Sequence, residues 1–140
     1  MIPKAELLAV AELLGLLPST VEKDYALGWA LYGIAAHSEL ASWIFKGGTC
    51  LKKCYFDTYR FSEDVDFTLP ASARYDVGAI GEALRGLGAW MGEAVGVVVP
   101  LDEIEVAESV NRRGEKTFQA KLTFEGPLGL PRQTRQRIPF

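Results

Sequence analysis

The run Asp64-Val65-Asp66-Phe67-Thr68-Leu69 leaves little freedom in what this chain can fold into. Its alternation of polar and apolar residues marks an extended strand, in which successive side chains point to opposite faces. Val65 and Phe67 then face a core, and Asp64 and Asp66 share the other side. Two carboxylates this close repel each other unless a cation sits between them. Upstream, Trp43-Ile44-Phe45 reads as a short apolar strand that stops at Gly47-Gly48-Thr49 and opens onto a helical run, Cys50 to Phe56. Glycines let a backbone approach a ligand with no Cβ in the way, and a following helix presents free amides and the positive end of its dipole, which suits phosphate. Alone, a Gly-Gly-Thr is more often an ordinary turn and an Asp-x-Asp more often a solvated strand face. Together they supply what metal-dependent phosphoryl transfer requires: amides for a triphosphate and carboxylates for Mg²⁺.

These residues also carry a resemblance. Phe45-Lys46-Gly47-Gly48-Thr49-x-Leu51-x-Lys53-x-Tyr55, followed by Arg60-Phe61-Ser62-Glu63-Asp64-Val65-Asp66-Phe67, resembles the signature of the AbiEii/AbiGii abortive-infection toxins, nucleotidyltransferases of bacterial type IV toxin-antitoxin systems. Val21-Glu22-Lys23-Asp24-Tyr25 resembles that family's other recurring stretch, so the likeness is strong from about residue 19 to 69 and holds in outline beyond. It implies an α+β, DNA polymerase β-like nucleotidyltransferase fold, with a mixed or antiparallel sheet and helices on one side. It further implies Asp64 and Asp66 as catalytic metal ligands, Gly47, Gly48, Thr49 and Ser62 around the nucleotide phosphates, and Lys53 or Arg60 as added positive charge. Mg²⁺ or Mn²⁺ would be the cofactor and a nucleoside triphosphate the substrate. The acceptor would be a hydroxyl of RNA, tRNA included, or of protein, and an antitoxin would act indirectly.

One hundred and forty residues, 49% of them hydrophobic, suffice for one domain with a real core and are too few for two ordinary ones, so residues 1–140 read as a single domain. No apolar run reaches the length of a membrane span, and Lys4, Glu6 and Glu12 make the first segment unlike a secretory signal; a cytoplasmic protein is expected. Cys50 and Cys54 share a helix face at a spacing poor for a disulfide, with no further ligand to complete a metal set, and read as buried thiols. His37, the single histidine, reads as a helix-end residue.

Apolar spacing predicts helices over Pro3–Leu16, about Thr20–Ala36, and Asp76–Gly96. Ser19-Thr20-Val21-Glu22 has the form of a capping box, which leaves Glu22, Lys23 and Asp24 on a first turn that is either solvated or site-facing. Ser38 heads a further short helix through Trp43. The Asp76–Gly96 helix holds five internal glycines, each costing up to about 1 kcal/mol against Ala, so it must lean on packing, and the glycines let it lie close to a sheet. Ile104–Val110 and Phe118–Phe124 alternate as two half-buried strands, and the polar cluster 111–116 between them predicts an antiparallel hairpin. Arg60 lies in a polar loop where it can hold a phosphate or pair with a carboxylate.

Residues 1–110 contain 8 basic and 16 acidic residues, whereas 111–140 contain 7 basic and 2 acidic. Such polarisation either attracts a polyanion such as RNA or neutralises the acidic body of the same molecule. Glu105, Glu108 and Glu125 are the acids of the later strands, and Glu108 shares the face of Ile104 and Val106. None aligns with the third carboxylate that usually completes the metal site of such enzymes, and the family's helical C-terminal part is not among these residues. Two other readings therefore stand beside catalysis: a nucleotide-binding pseudoenzyme, and a module whose basic hairpin docks RNA or a partner protein.

Overall fold

In the computed structural model of the protein, residues 1–56, 63–71 and 74–140 are described. The helices among them are α1 (Lys4–Leu14), α2 (Pro18–Ala36), α3 (Gly47–Cys54) and α4 (Val77–Val95), and the strands are β1 (Ile44–Lys46), β2 (Asp66–Thr68), β3 (Glu105–Val110), β4 (Lys116–Phe124) and β5 (Gln136–Pro139). All pairings are antiparallel. β1 pairs with β2, and β3, β4 and β5 form a second sheet in that order. The Val65 amide, bonded to the Pro139 carbonyl at 2.9 Å, joins the two sheets. The architecture is α+β, as expected.

α2 and α4 pack on each other and on one face of the β3–β5 sheet. Leu27 and Ile34 of α2, Leu84 and Met91 of α4, Leu122 of β4 and Ile138 of β5 are buried in one core cluster. Gln119 and Lys121 on the other face of β4 are exposed, which is the period-2 alternation of the sequence made physical. The glycine-rich α4 is capped at its start by Asp76, whose carboxylate accepts from the Ala79 amide at 2.8 Å. Gly88 shows why the helix tolerates glycine: a Cβ there would stand 3.0 to 3.1 Å from Val99. The close approach of the segment after α4 depends on that missing methyl. The hairpin between β3 and β4 turns on Asn111, whose side-chain oxygen accepts from the Arg113 and Glu115 amides.

Four expectations need correction. α2 begins at Pro18, not Thr20, and Leu17 caps it without a side-chain hydrogen bond, so the capping box does not form. A proline at the first helical position has no amide hydrogen to satisfy and already holds the helical φ. Glu22 is free to turn inward: it is 1% exposed, and its carboxylate accepts from the Leu128 amide and the Gln136 side chain, both at 2.7 Å. Glu22 therefore ties α2 to the segment before β5, and is not on a wet turn. The cysteines are not fully buried either, since Cys50 is half-buried and Cys54 exposed. The segment after Ser38 forms only a 3-10 turn, Leu40–Ser42. Among the described residues no helix is long and apolar enough to cross a membrane.

Glu22→Ala leaves a half-buried amide and a half-buried side-chain amide without their acceptor, and should lower stability by about 2 kcal/mol in a denaturant titration. Ser19→Ala, at an exposed residue that caps nothing, should stay within about 0.5 kcal/mol of wild type.

Candidate nucleotide and metal site

The Gly-Gly turn and the acidic strand meet through the β1–β2 ladder. Lys46 lies opposite Asp66, Phe45 opposite Phe67 and Ile44 opposite Thr68. Since α3 begins at Gly47, directly after β1, this register puts the first turn of α3 beside the acidic residues. Gly47 adopts φ 79°, a left-handed conformation that other residues reach only with strain. A Cβ there would also overlap the Asp66 carboxylate. Glycine is needed twice over, for the backbone and for the space.

α3 starts three residues before its expected beginning, so Gly47, Gly48 and Thr49 are its first helical residues, and no side chain caps them. First-turn amides have no acceptor inside their own helix. Asp66 packs beside Gly47 at this helix end, where the helix dipole adds positive potential. Thr49 is 1% exposed, and its hydroxyl donates to the main-chain oxygen of Asp64 at 2.5 Å. Its side chain thus fastens helix to strand and leaves only its amide for a ligand.

Val65 is 1% exposed and Phe67 half-buried, while Asp64 and Asp66 are exposed, the alternation expected of them. Among the described residues neither carboxylate has an ion-pair partner. The same residues contain no group of three or more His, Cys, Asp or Glu placed to hold a metal. Two free carboxylates beside uncapped amides fit a hard divalent ion such as Mg²⁺, which takes one or two carboxylates and completes its shell with water and phosphate oxygens. Glu108, which shares the strand face of Ile104 and Val106, pairs with Lys116 at 3.0 Å, and Glu125 pairs with Arg135. Glu105 is exposed on β3. None joins Asp64 and Asp66.

Lys53 lies about 9 Å from Gly47 along the α3 axis. Its ammonium is 2.7 Å from the Asp24 carboxylate. Next to that pair, Lys23 meets Glu63 at 2.5 Å. The Val21–Tyr25 stretch is therefore brought against both halves of the candidate site. Arg60 and Ser62 lie outside the described residues. Burial raises the Cys50 thiol above the ordinary thiol range, and the neighbouring Cys54 adds to the rise.

Composition patterns gave no sign of one further feature. β2 and the first half of β4 are separated by a cavity of about 360 Å³, lined by Lys46, Asp66, Phe67, Lys116, Phe118 and Phe140 and closed below by Ile80 and Leu84 of α4. β5 pairs with β4 at Lys121–Phe124 and, through Phe140, at Ala120. Asp66 thus stands at the boundary between the amide turn and an aromatic cleft.

Asp66 on β2 with Asp64 just before it, laid against an uncapped glycine-rich helix start in an α+β frame, is the class of arrangement that can hold an anion beside a cation. The comparison with families narrows the class. The family model described as "Nucleotidyl transferase AbiEii toxin, Type IV TA system" matches residues 29–139, and the chain belongs to that family. The match spans the Gly-Gly turn, the acidic strand and both sheets, and starts after the Val21–Tyr25 stretch. No curated protein and no solved structure matches the chain significantly.

Gly47→Ala should cost about 1–2 kcal/mol from the left-handed backbone alone. The displaced Asp66 carboxylate should appear as amide shift changes confined to residues 46–49 and 64–68 in a two-dimensional NMR spectrum.

Proposed function

We propose that this protein is a metal-dependent nucleotidyltransferase with a DNA polymerase β-like fold, acting as the toxin of a type IV toxin-antitoxin pair and moving a nucleotidyl group from a nucleoside triphosphate to a hydroxyl of RNA or protein. One observation carries the reading: the Asp66 carboxylate packs against Gly47 at the uncapped start of α3. Carboxylate and phosphate then share one helix end, and two anions share it only with a cation between them.

On this reading the amides of Gly47, Gly48 and Thr49 hold the phosphates, with Ser62 and Arg60 beside them as the family resemblance implies. Asp64 and Asp66 hold one or two Mg²⁺ or Mn²⁺ ions. Through a divalent ion held there, the two carboxylates would provide Lewis-acid activation for the attacking hydroxyl and positive charge for the leaving pyrophosphate. Thr49 keeps Asp64 in place through its main-chain oxygen, so the strand that carries the carboxylates cannot drift from the amides. Lys53 contributes charge and placement along α3 while bonded to Asp24. The basic residues of 111–140, of which Lys116 lines the cleft beside Asp66, favour a polyanionic acceptor, RNA above protein.

A second reading, a domain that binds nucleotide without transferring it, draws on Glu108 and Glu125, which are committed to basic partners and, among the described residues, form no three-ligand group with Asp64 and Asp66. Titration with each ribonucleoside triphosphate separates the two. Mg²⁺-dependent binding that falls at least about 100-fold in Asp64→Asn/Asp66→Asn, with pyrophosphate released when RNA is added, is the expected outcome. Binding without pyrophosphate release would favour the second reading, and triphosphate affinity unchanged in the double variant would sink both.

A further inference from the structure

Two ion pairs of opposite sense link the second turn of α2 to the candidate site. Lys23 Nζ meets Glu63 Oε2 at 2.5 Å, and Asp24 Oδ2 meets Lys53 Nζ at 2.7 Å. Lys53 also reaches the Asp24 main-chain oxygen at 3.5 Å. Consecutive residues of one helix thus grip two different segments, one acidic and one basic. Glu63 directly precedes Asp64, and Lys53 lies on the helix whose first turn carries the amides. The preceding residue, Glu22, is buried and bonded to Leu128 and Gln136, so this part of α2 is fixed to the body of the fold.

We propose that Lys23 and Asp24 are positioning residues: their crossed pairs with Glu63 and Lys53 form a clasp that sets the spacing between the acidic strand and the amide turn. The inference rests on the proposed reading of that site for its purpose, and on the geometry alone for its existence. Burial supports it. The Lys23 side chain is 15% exposed and that of Lys53 26%, well below what freely solvated lysines show, so their stems pack while their charged ends are held. The opposite polarity matters too. Neither lysine can take the other's acid without moving a segment, so the pairs fix register as well as distance.

The arrangement also assigns Lys53 a part other than direct phosphate contact. A lysine bonded to a carboxylate of another helix, on the last turn of an eight-residue helix, orients that helix rather than reaching over its start.

Amide hydrogen exchange on the whole chain tests the clasp without any nucleotide. Lys23→Met and Asp24→Asn should each speed exchange of the α3 amides and of Val65 about fivefold, the scale of a partly exposed ion pair, with Leu84 and Leu87 in α4 unchanged. Lys23→Arg, and the exchanged pairs Lys23→Glu/Glu63→Lys and Asp24→Lys/Lys53→Asp, should return exchange to near the wild-type rate. A uniform increase that includes α4, or no rescue by the exchanged pairs, would overturn the clasp. Affinity for Mg²⁺ with ATP or CTP, measured on the same proteins, reports separately on the site: absence of binding in wild type counts against the nucleotidyltransferase reading and leaves the exchange result to decide the clasp.

Discussion

The hydroxyl of Thr49, bonded to the main-chain oxygen of Asp64 at 2.5 Å inside the protein, is the contact on which the rest of the site depends. β1 and β2 have only three residues each in their ladder, and so short a pair is weak by itself. The buried hydroxyl adds a bond from the first turn of the helix back to the strand, at the residue where the carboxylates begin. The bond is costly to break on the Thr49 side, because its buried hydroxyl would be left without a partner. The uncapped amides and the Asp64–Asp66 pair are therefore kept within reach of each other before any ligand arrives. Preorganisation of this sort is what electrostatic catalysis of phosphoryl transfer requires, since there is little covalent work for the protein to do.

Around that contact the fold divides its labour. The β3–β5 sheet with α2 and α4 holds the core, and the small β1–β2 sheet with α3 holds the candidate site. The Val65 amide on the Pro139 carbonyl joins them, and Val65 itself is buried between the two acids. A single residue thus belongs to the core by its side chain, to the sheet junction by its amide, and to the site by its neighbours. Lys46 and Asp66, paired across the ladder, open onto the aromatic cleft, which gives the site a mixed lining of charge and ring faces. Such a lining suits a nucleotide better than a free phosphate, because a base can stack where the rings are.

Much of this was legible from local pattern. The faces of Asp64 to Phe67, the β3–β4 hairpin and the extent of α4 follow from periodicity within a few residues, which the backbone geometry enforces directly. That the Gly-Gly turn and the acidic segment meet follows from a short antiparallel ladder joining stretches about twenty residues apart in the chain. What the pattern missed depends on distant partners. Glu22 reads as a capping glutamate, and only Leu128 and Gln136, more than a hundred positions away, show why it is buried. Helix propensity placed the start of α3 after the glycines, yet the ladder and the first-turn amides pull Gly47 and Gly48 into the helix. The clasp from Lys23 and Asp24 was invisible because ion-pair partners carry no periodic signal.

The measurement that tests the central claim most directly is paramagnetic broadening of the amide NMR spectrum by substoichiometric Mn²⁺, with and without a nucleoside triphosphate. The account predicts that signals of Gly47, Gly48, Asp64 and Asp66 vanish first, that the triphosphate sharpens this selectivity, and that Asp66→Asn abolishes it. Broadening centred on the acids of 102–108 instead, or spread evenly over the exposed carboxylates, would contradict a metal-assisted nucleotide site at the Gly47 turn.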